Sequence, residues 1–225
     1  MKNFFTSSLI VVSVLTTASA WALTYDKNVP EAIQSQMQQD LAFMGTVEGA
    51  QTTGLHTQIF GAMKGASYQN WFEARIFSVG LSDCGNPNAV ACVSPFQDEN
   101  KMWLTQNFIK FSHPQISRMM VVYHEARHSE GKNRWWMHAK CPTPFKDENG
   151  KDMTSIWTKA QLAGQPACDK TPLGSYGSST IMLRNISKYC TTCTDKVRMD
   201  AKIYSDDQLE RIIDASAKNQ IKNDE

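Results

Sequence analysis

Apolar residues recur at helical spacing in three stretches of the chain. Ile33, Met37, Leu41 and Met44 fall on one face of a helix that Asn28 caps, Pro30 enters in the first turn and Gly45 ends. Ile116, Met119, Met120 and Tyr123 form a second stripe after Pro114, which runs directly into His124 and His128, with Gly131 as the expected left-handed stop. Met182, Ile186 and Tyr189 form a third, capped by Ser178 or Ser179 and reaching Cys190. A capping box of Ser205 and Gln208 is expected to open one more helix through Leu209, Ile212 and Ile213, with residues 219–225 frayed. The period changes to two between Trp71 and Leu81, where Phe72, Ala74 and Ile76 interleave with Glu73, Arg75 and Phe77; a second strand is expected from Met102 to Phe111. From Gly131 to Ser175 the chain is rich in Lys, Pro, Gly and Asp and reads as elaborated loop, with one weak helix near Ser155 to Leu162. These elements predict a single helix-rich α+β domain with a small sheet, closed by C-terminal helices.

The first residues change the expected destination of the chain. Lys2, an apolar stretch from Leu9 to Leu15 and small residues at Ala18, Ala20 and Ala22 have the layout of a secretory signal peptide over residues 1–22, leaving 23–225 as the mature domain. The apolar stretch is too short for a comfortable span, so no stable membrane insertion is expected after cleavage, and the product is expected to be secreted or periplasmic. Six cysteines in an exported chain imply disulfides, and local sequence favours Cys84–Cys92, Cys141–Cys168 and Cys190–Cys193. A formal charge of +1 with scattered Lys and Arg offers no basic stripe for nucleic acid. Specificity is then expected from a cleft.

The chemistry concentrates in His124-Glu125-Ala126-Arg127-His128. Histidines at i and i+4 project from one face of a helix, so both imidazoles can reach one metal, while the glutamate beside the first meets its bound water. A catalytic zinc site takes three protein ligands and leaves the fourth position to water. His138 is the first candidate for the third ligand, because Gly131 lets the chain double back; Asp169 beside Cys168 is the alternative, as ligand or as acceptor for a ligand imidazole N–H. Arg127 reads as a surface or supporting residue, and Glu130 as a carboxylate able to orient a ligand histidine. His56 and His113 read as ordinary packed or loop histidines. The Trp135-Trp136 pair either lines a substrate pocket or seals the core under its loop.

His124 to Gly131 resembles the start of the metzincin motif H-E-x-x-H-x-x-G-x-x-H of the zincin metallopeptidases, with Arg134 where that family has its third histidine and His138 four residues later. Ile181-Met182 looks similar to the metzincin methionine turn, or is a core methionine. Asp169 followed by Tyr176-Gly177 is similar to the aspartate and Tyr-Gly pair of the aspzincins. The resemblance covers residues 124–182 and implies a Zn²⁺-dependent metallopeptidase acting on a peptide or protein substrate, with a cell-wall peptide as one target. It implies Glu125 as general base and Tyr176 as donor to the developing oxyanion. The alternative is a disulfide-braced secreted binding or inhibitory protein in which the same helix holds structural metal or none.

Overall fold

The computed structural model describes residues 23–110 and 112–224; the expected signal peptide and the far end of the Met102–Phe111 segment lie outside them. In chain order the elements are β1 (Thr24–Tyr25), α1 (Glu31–Met44), α2 (Gly54–Phe60), α3 (Gly65–Glu73), β2 (Ser78–Leu81), β3 (Ala91–Ser94), α4 (Pro95–Asp98), β4 (Glu99–Leu104), α5 (Gln106–Lys110) and α6 (Gln115–Arg127). A 3-10 segment (Gly131–Trp136) follows, then β5 (Ala139–Lys140), β6 (Pro166–Cys168), α7 (Ser175–Tyr189), α8 (Asp195–Glu210) and α9 (Ala215–Lys222). This is a helix-rich α+β fold with a small mixed sheet in the order β1-β2-β4-β3, in which only β3 is antiparallel to its neighbour.

Helix α6 is the centre of the structure. Every residue in it except Gln115 and Arg118 is buried, because it touches β3 and β4 on one side and α1, α7 and α8 on the others. Tyr123 shows the packing best: it is 1% exposed, its ring stacks on Trp71 at 5.5 Å, and its hydroxyl donates to the Tyr68 carbonyl at 3.1 Å. The one cation on α6 that faces outward, Arg118, is tied to buried Asp40 of α1 at 2.6 Å. Residues this enclosed fix the direction of whatever side chains the end of the helix carries.

All three expected disulfides form, and no cysteine is free. Among the described residues no helix is long and apolar enough to cross a membrane. Disulfide bracing of this kind fits an oxidising, extracellular-type compartment.

Several local expectations fail for identifiable reasons. Helix α1 starts at Glu31 with Pro30, not Asn28, in the cap position and without a side-chain cap bond. Trp71 to Glu73 belong to α3, because Tyr68, Trp71 and Phe72 share one helical face that packs on Tyr123, and the strand begins only at Ser78. The strand at Met102 stops at Leu104: the Thr105 hydroxyl donates to Ala89 and Val90 carbonyls and accepts from the Asn107 amide, which starts α5. No helix forms at Ser155 to Leu162, where Lys159 takes a left-handed turn (φ 63°) and Trp157 is anchored in the core by stacking on Phe108 and His113. Helix α7 begins at Ser175, earlier than Ser178, and α8 runs through Ser205 and Gln208 from a Thr194 cap, the Ser205 hydroxyl bonding back to Lys202. Asn219 to Lys222, expected to fray, form the second half of α9 instead.

Candidate metal centre

His124 and Glu125 lie in the last turn of α6 and His128 is its C-cap residue, so the buried helix aims two imidazoles past its own end. His138 arrives from the following loop and completes the group: its Nε2 is 3.1 Å from Nε2 of His124 and 3.2 Å from Nε2 of His128. Together the three can hold a metal ion.

The outward ring nitrogens decide what the inward ones carry. His138 Nδ1 donates to Asp169 Oδ1 at 2.9 Å, His128 Nδ1 donates to the Trp135 carbonyl at 2.6 Å, and the Ser175 backbone accepts from the His124 ring. A neutral imidazole whose proton is committed on one nitrogen presents a lone pair on the other. Burial, reinforced by the neighbouring His138, holds His124 well below the ordinary histidine range and lowers His128 to about 3, so both are neutral at pH 7. His124 and His128 therefore present lone pairs beside His138 Nε2, an arrangement that a cation can satisfy.

The return of the chain to His138 is made by a strained backbone. Gly131 is not in the left-handed region; Arg134, Trp135 and Trp136 are, at φ of 53°, 54° and 48°. Such conformations cost about 1–3 kcal/mol each and persist where surroundings enforce them. Here the Trp135 indole donates to Glu99 at 2.9 Å and the Trp136 indole to Glu130 at 2.8 Å, with the Arg127 guanidinium 4.7 Å above the Trp136 ring. A Cβ at Gly131 would stand 3.0 Å from Glu99 Oε2, a tight contact that the carboxylate would have to relieve by a small shift.

Glu130 also accepts from Arg75 and Arg127, each at 2.6 Å. Burial raises its carboxyl, but the Trp136 hydrogen bond and the two guanidinium groups outweigh that and hold it below the usual range. Glu130 thus braces the loop instead of orienting a histidine, and Arg127 is a buried strut that also donates to the Leu173 carbonyl. The two tryptophans are braces as well; neither is among the residues lining the cavity below.

Asp169 serves two elements. While Oδ1 receives His138, Oδ2 accepts the Tyr176 amide at 2.7 Å, capping the first turn of α7. Gly174 leaves space for that carboxylate, because a Cβ would fall 2.3 Å from Oδ2; Gly177 likewise passes the Pro172 carbonyl, which a Cβ would meet at 2.2 Å. Asp169 is therefore the acceptor for the His138 imidazole and lies outside the inward-facing group. Met182 sits inside α7, fully buried in the core, and forms no turn beneath the cluster.

A cavity of about 200 Å³ opens onto His124, Glu125 and His138, walled by Ala91 of β3 on one side and Trp157 and Leu162 on the other. Burial pushes the Glu125 carboxyl up to about 8, opposed by a hydrogen bond from the Val93 backbone of β3. Tyr176 lies in the first turn of α7, not in a free turn, with its ring 4.4 Å from His124 and 4.6 Å from His138. Its hydroxyl receives Arg211 Nη1 at 2.9 Å. Arg211 escaped the sequence reading, although Tyr204, Gln208 and Arg211 at helical spacing were the available signal. The acceptors at Trp135 and Ser175 and the donor at Val93 are backbone groups and leave no mark in a sequence. His56 and His113 are packed histidines: His56 is fully buried against Tyr68 (2.6 Å), and His113 reaches the Tyr204 hydroxyl (3.2 Å). Comparison with protein-family models, with curated proteins and with solved structures gives no match to this chain.

Proposed function

We propose that this protein is an exported zinc-dependent hydrolase that cleaves peptide bonds, built on the zincin plan. The observation that carries the reading is the convergence of three imidazole nitrogens, each ring held by an acceptor behind it, beside a buried carboxylate in one cavity. Zinc bound by three imidazoles supplies Lewis acidity toward a carbonyl and acidifies water.

The protein's own groups do the rest. Glu125, steadied by the Val93 backbone, takes the proton of the attacking water and returns it to the leaving amine. Beside a metal cation held by the three histidines, that carboxyl would have a lower affinity for its proton, so that Glu125 would begin as a base. Because Arg211 donates to the Tyr176 oxygen, the phenolic hydrogen remains free to donate into the cavity, toward the oxyanion that develops on the substrate. Asp169 keeps the His138 proton on Nδ1, and its backbone is held by Arg211 and Ile213 beyond the end of α8.

A disulfide-braced binding protein with structural metal is the competing reading. A closed structural site takes four protein ligands, whereas the group found among the described residues has three and borders a cavity. The Glu125→Gln protein tests the proposal: zinc content and melting temperature should match wild type, while peptide hydrolysis falls by roughly 10²–10⁴-fold. Undiminished hydrolysis in that variant would remove Glu125 from the reaction, and absence of hydrolysis from the zinc-loaded wild type on a mixed peptide pool would favour the binding protein.

A further inference from the structure

Arg211 is the one permanent cation among the described residues that line the cavity, and Glu125 is the one carboxylate. The arginine is 6% exposed. Among the described residues its guanidinium makes a single hydrogen bond, from Nη1 to the Tyr176 hydroxyl, and its Nε is buried without one. The nearest carboxylate, Asp207, is 3.9 Å from Nε, beyond hydrogen-bond reach, and already receives Gln208 at 2.8 Å. Asp207 balances the charge without a hydrogen bond, and a guanidinium carries five N–H donors in a fork matched to a carboxylate, so most of the hydrogen-bonding capacity of this buried group is unspent.

Its position relates it to the bond under attack. The Tyr176 ring lies 4.4 Å from the His124 ring and 4.7 Å from the Arg211 guanidinium carbon. Together two such contacts span at most about three extended residues at ~3.3 Å each. We propose that Arg211 receives a substrate carboxylate, so that the site selects peptides bearing a negative charge within about three residues of the bond it cleaves. This selectivity rests on the hydrolase reading. The carboxylate has two sources, a free chain terminus or an Asp or Glu side chain, and both present the same planar anion to the same fork.

Four N-acetylated peptides of common core test it on the zinc-loaded protein: free acid and C-terminal amide, and, in amide form, Glu against Gln two positions after the scissile bond. The anionic member of at least one pair should be cleaved with kcat/KM roughly 10- to 100-fold higher, and mass spectrometry of the products places the cut beside the terminus or beside the glutamate. Whatever Arg211→Met does to absolute rates through Tyr176, it should collapse that ratio to within about twofold, while Arg211→Lys keeps part of it. Equal rates within both pairs, or a ratio that survives Arg211→Met, overturns the proposal. Where Arg211→Met fails to fold, the wild-type ratios, the cleavage map and Arg211→Lys decide. Calorimetric binding to zinc-loaded Glu125→Gln separates the two readings: an anion preference without any hydrolysis by wild type leaves the Arg211 subsite standing and removes the hydrolase, whereas equal affinities remove the subsite.

Discussion

The two halves of the histidine cluster are built by opposite means. His124 and His128 come from a helix whose direction is set by apolar packing on nearly every side, with Tyr123 wedged among Tyr68, Trp71 and Phe72. His138 and its partner Asp169 come from a loop region that has only a small apolar cluster, around Phe145, Met153 and Leu162, and is held by Glu130, two indoles, a disulfide and three consecutive left-handed residues. Packing fixes a direction; polar bonds fix a path. One site needs both, because two ligands on a straight helix cannot surround an ion unless a third returns from outside it.

Each half can be broken separately. Tyr123→Ala removes a fully packed aromatic from the helix side and should cost about 4 kcal/mol of unfolding free energy in urea, while the protein that remains folded binds zinc within about threefold of wild type. Glu130→Ala strands the buried Arg127 and the half-buried Arg75 and should cost about 3 kcal/mol, but its zinc affinity, measured against a competing chelator, should fall more than that of Tyr123→Ala. The reverse order of affinities would mean that the loop does not hold His138 in place.

A pH series probes the helix side from another direction. Burial lowers His56 to about 4, so the folded protein keeps it neutral where the unfolded chain takes up a proton near 6.5. Stability from this group is complete above pH 6.5, is lost as pH falls from there to about 4, and is flat below; the loss is at most about 3 kcal/mol. His56→Gln should flatten that limb of the stability curve relative to wild type, and parallel curves would assign the acid sensitivity elsewhere. The smallest effect is expected from Asp169→Asn, which keeps the shape but weakens the hold on the His138 proton: zinc affinity should drop about 10- to 100-fold. His138→Ala should lose far more, and the opposite ranking would make Asp169 the ligand.

Much of the helix side was legible because its signal is periodic. Ile116, Met119, Met120 and Tyr123 announce a helix whose end carries both motif histidines, and the cysteine spacing yields the three bridges. The loop side was legible only as residue types. His138 could be chosen for its position after a turn, but the turn itself lies at Arg134 to Trp136, where nothing in residue identity advertises a left-handed backbone. Trp71 to Phe77 misled because a short apolar alternation fits a strand until the aromatic partner on α6 is known. Arg211 remained hidden because its meaning depends on Tyr176, far away in sequence.

The double duty of Asp169 constrains how this protein can vary. Its carboxylate fits only because Gly174 has no side chain, and the turn that brings Tyr176 beneath it closes only because Gly177 has none. A descendant cannot exchange any one of the three and keep the other two useful. The footprint to search for in distant genomes is then not the five-residue helix motif, which arises easily, but that motif followed by a later histidine and by Asp-x4-Gly-x2-Gly, the spacing of positions 169, 174 and 177. Chains that retain the helix motif but fill either glycine should have abandoned the metal.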